Sequence, residues 1–110
     1  MRYIAKKHGN KKLFQTKLGD KVISVNYDEI LFFETSPQLH KIILHGINRQ
    51  VEFYGKLKEI VELDGRFYYV VNKDNIAEID MKKREIHMIN GEVCYASSRF
   101  LKGLKNIVPQ

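Results

Sequence analysis

His8, His40, His45 and His87 are the side chains of this 110-residue chain best suited to hold a metal ion or move a proton, yet they fall singly in different segments. No HxxxH or CxxC spacing brings two donors together, and a metal site needs several converging. Cys94 is the only cysteine, so it can form neither an internal disulfide nor a thiolate cluster, in keeping with a reducing compartment. A nucleophilic pair of Cys94 with a histidine is conceivable. However, the residue alternates within the strand-like segment EVCYA, where an inert thiol used for packing is the commoner state. Glycines 9, 19, 46, 55, 65, 91 and 103 never group as GxGxxG or GxxxxGK, so no loop is built to cradle a nucleotide phosphate. Glu34, Glu52, Glu78 and Glu85 alternate with apolar neighbours, and Glu59 and Glu62 take the wet face of a helix-like stretch. No carboxylate pair therefore stands apart as acid and base. The sequence predicts no enzyme, no cofactor and no metal.

Positive charge is the chemistry that survives. The chain carries a formal charge of +6, from 19 basic and 13 acidic residues. Residues 1 to 21 hold seven basic side chains against one acid, while residues 22 to 110 hold twelve of each. Only local patches of the body can therefore attract a polyanion. The first is the basic leader with the first strand, residues 1–21, which could grip DNA or be a solvated, partly disordered arm. The second is smaller: Arg99, Lys102 and Lys105, which follow a single acid, Glu92. Phe32, Phe33, Phe53, Tyr54, Phe67, Tyr68 and Tyr69 could stack on bases, but in a β domain of this size most such rings pack in the core. That leaves room for one exposed stacking ring.

The elements that must position these groups are short and β-prone. KLFQTK, KVISV, ILFFET, KIILH, RQVEFY, IAEID, REIHMI and EVCYA each combine branched or aromatic residues with alternation or a short apolar run. Between them lie LGD, HGIN, MKKR and NG. Asn90-Gly91 is the strongest hairpin signal, because both residues tolerate positive φ. Neighbouring segments should pair antiparallel. From Gly55 to Leu63, Leu57, Ile60 and Val61 recur at helical spacing among charged residues, which predicts a short amphipathic helix. A second follows Ser97 or Ser98, with a serine as N-cap and Leu101, Leu104 and Ile107 on one side. The expected fold is mainly β, with two short accessory helices, in one domain whose body spans 22–110. No segment has the roughly 18 consecutive apolar residues of a spanning helix, and the N-terminus lacks a signal-peptide core. A soluble, cytoplasmic protein without a membrane partner is expected.

The segment VNYDEILFFETSPQLHKIILHGINRQVEFYGKLKEIVELDGRF resembles the first half of a LytTR domain in order, spacing and residue type. The resemblance resumes at VVNKDNIAEID and runs through EVCYASSRFLKGLK, covering nearly all of residues 22 to 105. Three stretches carry most of it: the D-E-I-L-F-F-E strand, the S-x-x-x-H-K loop at 36 to 41, and C-Y-A-S-x-R at 94 to 99. The details are most similar to response regulators of the accessory-gene-regulator type, which control quorum-sensing and virulence genes in Gram-positive bacteria.

The resemblance implies an elongated set of small antiparallel sheets whose loop side chains enter successive major grooves of double-stranded DNA, bending it. It implies a two-component transcription regulator, with dimerisation on repeated sites and a receiver domain in the full-length protein. His40 matches the family's base-contacting histidine, Lys41 a basic neighbour facing the backbone, and Arg99 the arginine that reads the other groove. An arginine fork can bond O6 and N7 of guanine, whereas a lysine on phosphate carries no sequence information. Ser36, Gln38 and Ser97 are expected as further phosphate or base partners, set against the commoner role of short polar loop residues, which is to satisfy turns. Without the resemblance, His40 would read as a hairpin cap and Lys41 as a solvated strand start. Arg99 could pair with Glu92, although no acid follows it. One departure stands out. Family members typically carry F-x-R-x-H-x-S-[FY] after the first helix. Here Arg66-Phe67-Tyr68-Tyr69-Val70-Val71-Asn72 is shorter and lacks the central Arg, His and Ser, which puts affinity and target choice in question. The alternative is a protein-protein interaction module of a regulator with little autonomous DNA binding.

Overall fold

A computed structural model describes the backbone of residues 4–8, 11–60 and 65–107, and the side chains of 13–60 and 65–107. Three antiparallel sheets stack on one another. The first contains β1 (Ile4–His8), β2 (Lys11–Leu18) and β3 (Lys21–Asn26). The second and largest has the order β6-β5-β4-β8-β7, from β4 (Ile30–Thr35), β5 (Lys41–Gly46), β6 (Gln50–Tyr54), β7 (Phe67–Tyr68) and β8 (Val71–Asn72). The third is β9 (Ile76–Asp80), β10 (Glu85–Met88) and β11 (Val93–Tyr95), with β10 in the middle. Helices α1 (Leu57–Ile60) and α2 (Ser98–Ile107) and two 3-10 turns, Tyr27–Glu29 and Lys73–Asn75, complete the described elements. All eight strand-like segments of the sequence are strands. The helix expected from Gly55 is present at Leu57–Ile60, while residues 61–63 of that expectation lie outside the described residues.

The run ILFF shows why β4 is central. Alternation marks a strand buried on one face; four consecutive apolar residues mark one buried on both. Ile30 and Phe33 face one core with Phe14, Val25, Ile42, Leu44, Val51 and Phe53, between the first and second sheets. Leu31 and Phe32 face a second core with Val71, Ile86, Met88, Leu101 and Leu104, under the third sheet and α2. A register shift between Ile30 and Phe32 interrupts the alternation, so that the adjacent Leu31 and Phe32 share one face while Ile30 and Phe33 share the other. The first core is aromatic: Phe14 meets Phe33 edge-on at 5.3 Å and Phe53 at 5.6 Å.

Phe14 also corrects the picture of the leader. It is fully buried, Thr16 beside it is 4% exposed, and β2 pairs with β3 from Leu13 to Leu18. Residues 13–18 are thus a wall of the first core and not a solvated arm, because an aromatic ring on the inward face of a paired strand anchors that strand.

Two buried asparagines hold the entry to β4. Asn72 Nδ2 donates to the carbonyls of Tyr27 and Ile30 (3.1 and 2.9 Å), and Asn75 Nδ2 donates to those of Asp28 and Ile30 (2.9 and 2.8 Å). The Asn72 carbonyl accepts from the Asp74 amide at 3.0 Å. Backbone polar groups of the short 3-10 turn Tyr27–Glu29, which the sheets leave unpaired, are satisfied in this way. At the predicted Asn90-Gly91 turn only Gly91 takes positive φ (+94°). Asn90 instead uses its side chain, which accepts from the Glu92 amide at 3.0 Å and donates to the Ile47 carbonyl at 3.2 Å.

Candidate nucleic-acid interface

The β4–β5 loop is pinned from below and open above. Ser36 is buried; its hydroxyl donates to Glu52 and accepts from the Gln38 amide at 3.0 Å. The Ser36 amide donates to the Lys41 carbonyl at 3.0 Å, and the Gly55 amide to the His40 carbonyl at 3.0 Å. With its base fixed, the loop turns through a left-handed His40 (φ +62°), and Gln38, Leu39 and His40 all face solvent. Lys41 opens β5, half-buried, with its ammonium 4.9 Å above the Tyr54 ring. His40, Tyr54, Gly55, Lys56 and Glu59 line a shallow hollow of about 270 Å³. Ser36 therefore shapes the loop from inside, while Gln38 and His40 form its exposed crest.

Arg99 is displayed by a different device. Ser97 caps α2, its hydroxyl accepting from the Phe100 amide at 3.1 Å and its carbonyl from the Leu101 amide at 3.0 Å. Leu101 and Leu104 are fully buried and fix the helix against the second core. Arg99 projects from the first turn into solvent. Among the described residues it has no ion-pair partner, and Glu92 lies instead 3.1 Å from His45 Nδ1. The first turn of α2 holds no acid, so a cation sits at the positive end of the helix dipole, where an anion is preferred. External acceptors would relieve that unfavourable field.

Beside Arg99, the residues Tyr68, Tyr69, Ser97 and Phe100 complete a second hollow of about 280 Å³. Tyr68 packs edge-on against Tyr69 and Phe100, at 4.8 and 5.0 Å. Gly103 makes this possible: a Cβ there would stand 2.1 Å from the Tyr68 hydroxyl. The stretch Phe67–Asn72 closes as a tight hairpin, with Phe67 opposite Asn72 and Tyr68 opposite Val71. Tyr69 forms the turn at φ +52°. Arg66, just before it, is held by Asp28 at 2.5 Å. Where the sequence left room for one exposed ring, both Tyr54 (59%) and Tyr69 (57%) are exposed.

Strand pairing brings the two hollows to one end of the central sheet. β8 runs antiparallel to β4 with Phe32 opposite Val71, and the Phe33 amide donates to the Val70 carbonyl at 3.0 Å. The Tyr69 turn consequently lies toward the end where β4 passes into the His40 loop. β6 reaches the same end at Tyr54, opposite Lys41.

The remaining reactive groups are occupied. His45 is buried and stacked on Phe32 (4.3 Å, 16°). Its Nε2 is 2.7 Å from Glu34, and its Nδ1 is at ion-pair distance from Glu92 but poorly aligned for a hydrogen bond. Burial, reinforced by the charge of Glu34, pushes the Cys94 thiol up from 9.0 to about 11. At pH 8 its thiolate fraction should be roughly 100-fold below that of an unperturbed thiol, two pKa units away. Iodoacetamide should accordingly label the native chain at pH 8 far more slowly than the urea-unfolded chain. Equal rates would show Cys94 to be reactive.

Residues 20–108 match the family model of the LytTr DNA-binding domain. Accessory gene regulator protein A of Staphylococcus epidermidis is 45% identical over 101 residues, which cover 87% of this chain and 42% of that protein. The protein of the same name from Staphylococcus aureus shows the same identity and coverage. The chain thus spans about two fifths of the length of the curated relatives it matches. No helix among the described residues is long and apolar enough to cross a membrane.

Proposed function

The chain belongs to the LytTR family of DNA-binding domains, and from that premise we propose that it binds a short repeated duplex site in a sequence-specific way, as the DNA-binding part of a cytoplasmic transcription regulator. By likeness to the accessory gene regulator proteins, that regulator is a bacterial quorum-sensing response regulator with a receiver domain elsewhere in its chain. His40 and Arg99 read base edges in successive major grooves. Lys41 neutralises phosphate, and Gln38 adds a polar contact on the crest of the His40 loop. Ser36 and Ser97 act from below, as loop pin and helix cap.

The observation that carries this reading is the placement of two solvent-facing donors, His40 on a loop pinned by Ser36 and Arg99 on the first turn of a helix anchored by Leu101 and Leu104, at one end of the central sheet. Pre-ordered donors lose little conformational freedom on binding. The molecule's longest dimension, 43 Å, also exceeds one turn of B-DNA, about 34 Å. On this reading, bending of the DNA brings neighbouring grooves within reach of the two contacts. Five or six phosphate contacts would give a log K against log salt slope of roughly −5.

The test is a fluorescence-anisotropy titration of the wild type and of His40→Ala/Arg99→Ala against a direct-repeat duplex and a scrambled one, at two salt concentrations. Salt-sensitive binding that prefers the repeat, and loses that preference in the double variant, is the expected result. Weak binding indifferent to sequence and to mutation would overturn it in favour of a protein-protein interaction module. The exposed Tyr69 and Tyr95 side chains would then be the first surfaces to probe.

A further inference from the structure

We propose that the β9–β10 turn, carrying Lys82, Lys83 and Arg84, is a phosphate grip that clasps the DNA backbone beside the groove entered by Arg99. This rests on the DNA-binding reading above and adds a contact surface to it. Three successive basic side chains on a four-residue turn are exposed, and among the described residues none has an ion-pair partner. The nearest acids along the chain are committed elsewhere. Asp80 accepts the Lys83 amide at 2.9 Å, and Glu85 lies 2.9 Å from His87 Nε2.

The turn is tied to the Arg99 site through the backbone. The Arg84 carbonyl accepts from the Ala96 amide at 3.3 Å, and Ala96 immediately precedes the Ser97 cap of α2. Three Cα-to-Cα steps lead from Ala96 to Arg99, a reach of about 11 Å at most. A major groove is about 12 Å wide, so a guanidinium at base edges and a basic turn at the groove wall are compatible spans.

Conformation supplies an independent reason. Only three non-glycine residues have positive φ among the described residues: His40 (+62°), Tyr69 (+52°) and Arg84 (+58°). All three are exposed, and each stands at the tip or end of a turn. Glycine adopts this region most cheaply, so a large side chain held there bears a conformational cost. Such strain concentrates at functional sites. His40 belongs to one hollow and Tyr69 to the other. Arg84 is the third, and its chemistry fits a phosphate oxygen.

The two roles of Arg84, turn former or DNA contact, separate in one substitution. Arg84→Gly relieves the left-handed backbone, so the variant should melt no earlier than wild type yet bind DNA less tightly. Lys82→Ala/Lys83→Ala/Arg84→Gly should weaken binding to the direct-repeat and scrambled duplexes by the same factor. Its salt slope should be shallower by about 2 to 3, one phosphate contact per basic residue. Lys17→Ala/Lys21→Ala, on the first sheet, should change the slope by less. If wild type prefers the repeat while the triple variant keeps the wild-type slope, the grip is refuted and the DNA-binding reading stands. An equal change in the Lys17/Lys21 control would refute it too, by reducing the effect to net charge. A wild type that binds no duplex would overturn both.

Discussion

Arg99→Ala should weaken binding to the specific duplex roughly 5- to 150-fold, the equivalent of about 1–3 kcal/mol for one bidentate base contact. Binding to scrambled DNA should change far less. Three features make this side chain the most sensitive in the molecule. It projects into solvent without an ion-pair partner among the described residues, so its removal disturbs no internal network. Ser97 and the buried Leu101 and Leu104 hold the helix that carries it, so a neighbouring group has little freedom to take its place. It also sits against the helix dipole, a cost recovered only when an acceptor arrives. Arg99→Lys keeps the charge and loses the planar fork, so it should restore salt dependence without restoring base preference. Equal losses on the repeat and the scrambled duplex would show that Arg99 contacts only phosphate.

Asn72→Ala should cost about 2–4 kcal/mol of folding stability, read as a lower urea midpoint at unchanged m-value: about 1–3 kcal/mol from the buried Tyr27 carbonyl deprived of this donor and about 1 kcal/mol from the lost cap of the turn Lys73–Asn75. The Tyr27 carbonyl and the Asp74 amide would each lose their bond to Asn72. The Ile30 carbonyl would keep its bond from Asn75. That shared acceptor makes a sharper statement possible. Asn72→Ala/Asn75→Ala leaves Ile30 with neither donor, so the double variant should lose more than the two single variants combined. Strict additivity would mean that water enters and replaces the lost donors. A domain of this size typically has 5–15 kcal/mol of stability, so the double variant is expected to be largely unfolded near physiological temperature. DNA affinity offers a second readout. Asn72 adjoins the Tyr69 hairpin, and the single variant should bind normally wherever it remains folded.

The strands were legible because burial on one or both faces leaves a period of two or an unbroken apolar run. Val51 and Phe53 in RQVEFY follow the first pattern and ILFF the second. Residues 1–21 hold seven basic and seven apolar side chains, so composition left the leader open between an arm and a strand, and Phe14 on the inward face of β2 decided it for residues 13–18. Ser36 and Ser97 were identified as polar loop residues near the interface. Their bonds turn inward, and a hydroxyl's choice between solvent and a backbone amide depends on loop geometry that neighbouring residue types do not specify.

The amino-acid sequence by itself determined the mainly β architecture, the turn positions and the family. Strands and turns follow from local periodicity, whereas His40, Lys41 and Arg99 were marked as candidates through the resemblance to the LytTR family. Only the tertiary structure decided which aromatic rings are wet, that Tyr54 and Tyr69 rather than Phe53 and Phe67 face solvent, and that Glu92 neighbours His45 instead of Arg99. It alone brought the Tyr69 turn to the end of the sheet that bears the His40 loop, and tied the Lys82–Arg84 turn to the cap of α2. The reason is that exposure and proximity depend on register between strands distant in sequence, such as Phe32 with Val71 and Glu85 with Tyr95. A one-residue slip would reverse every side chain on a strand without altering its composition.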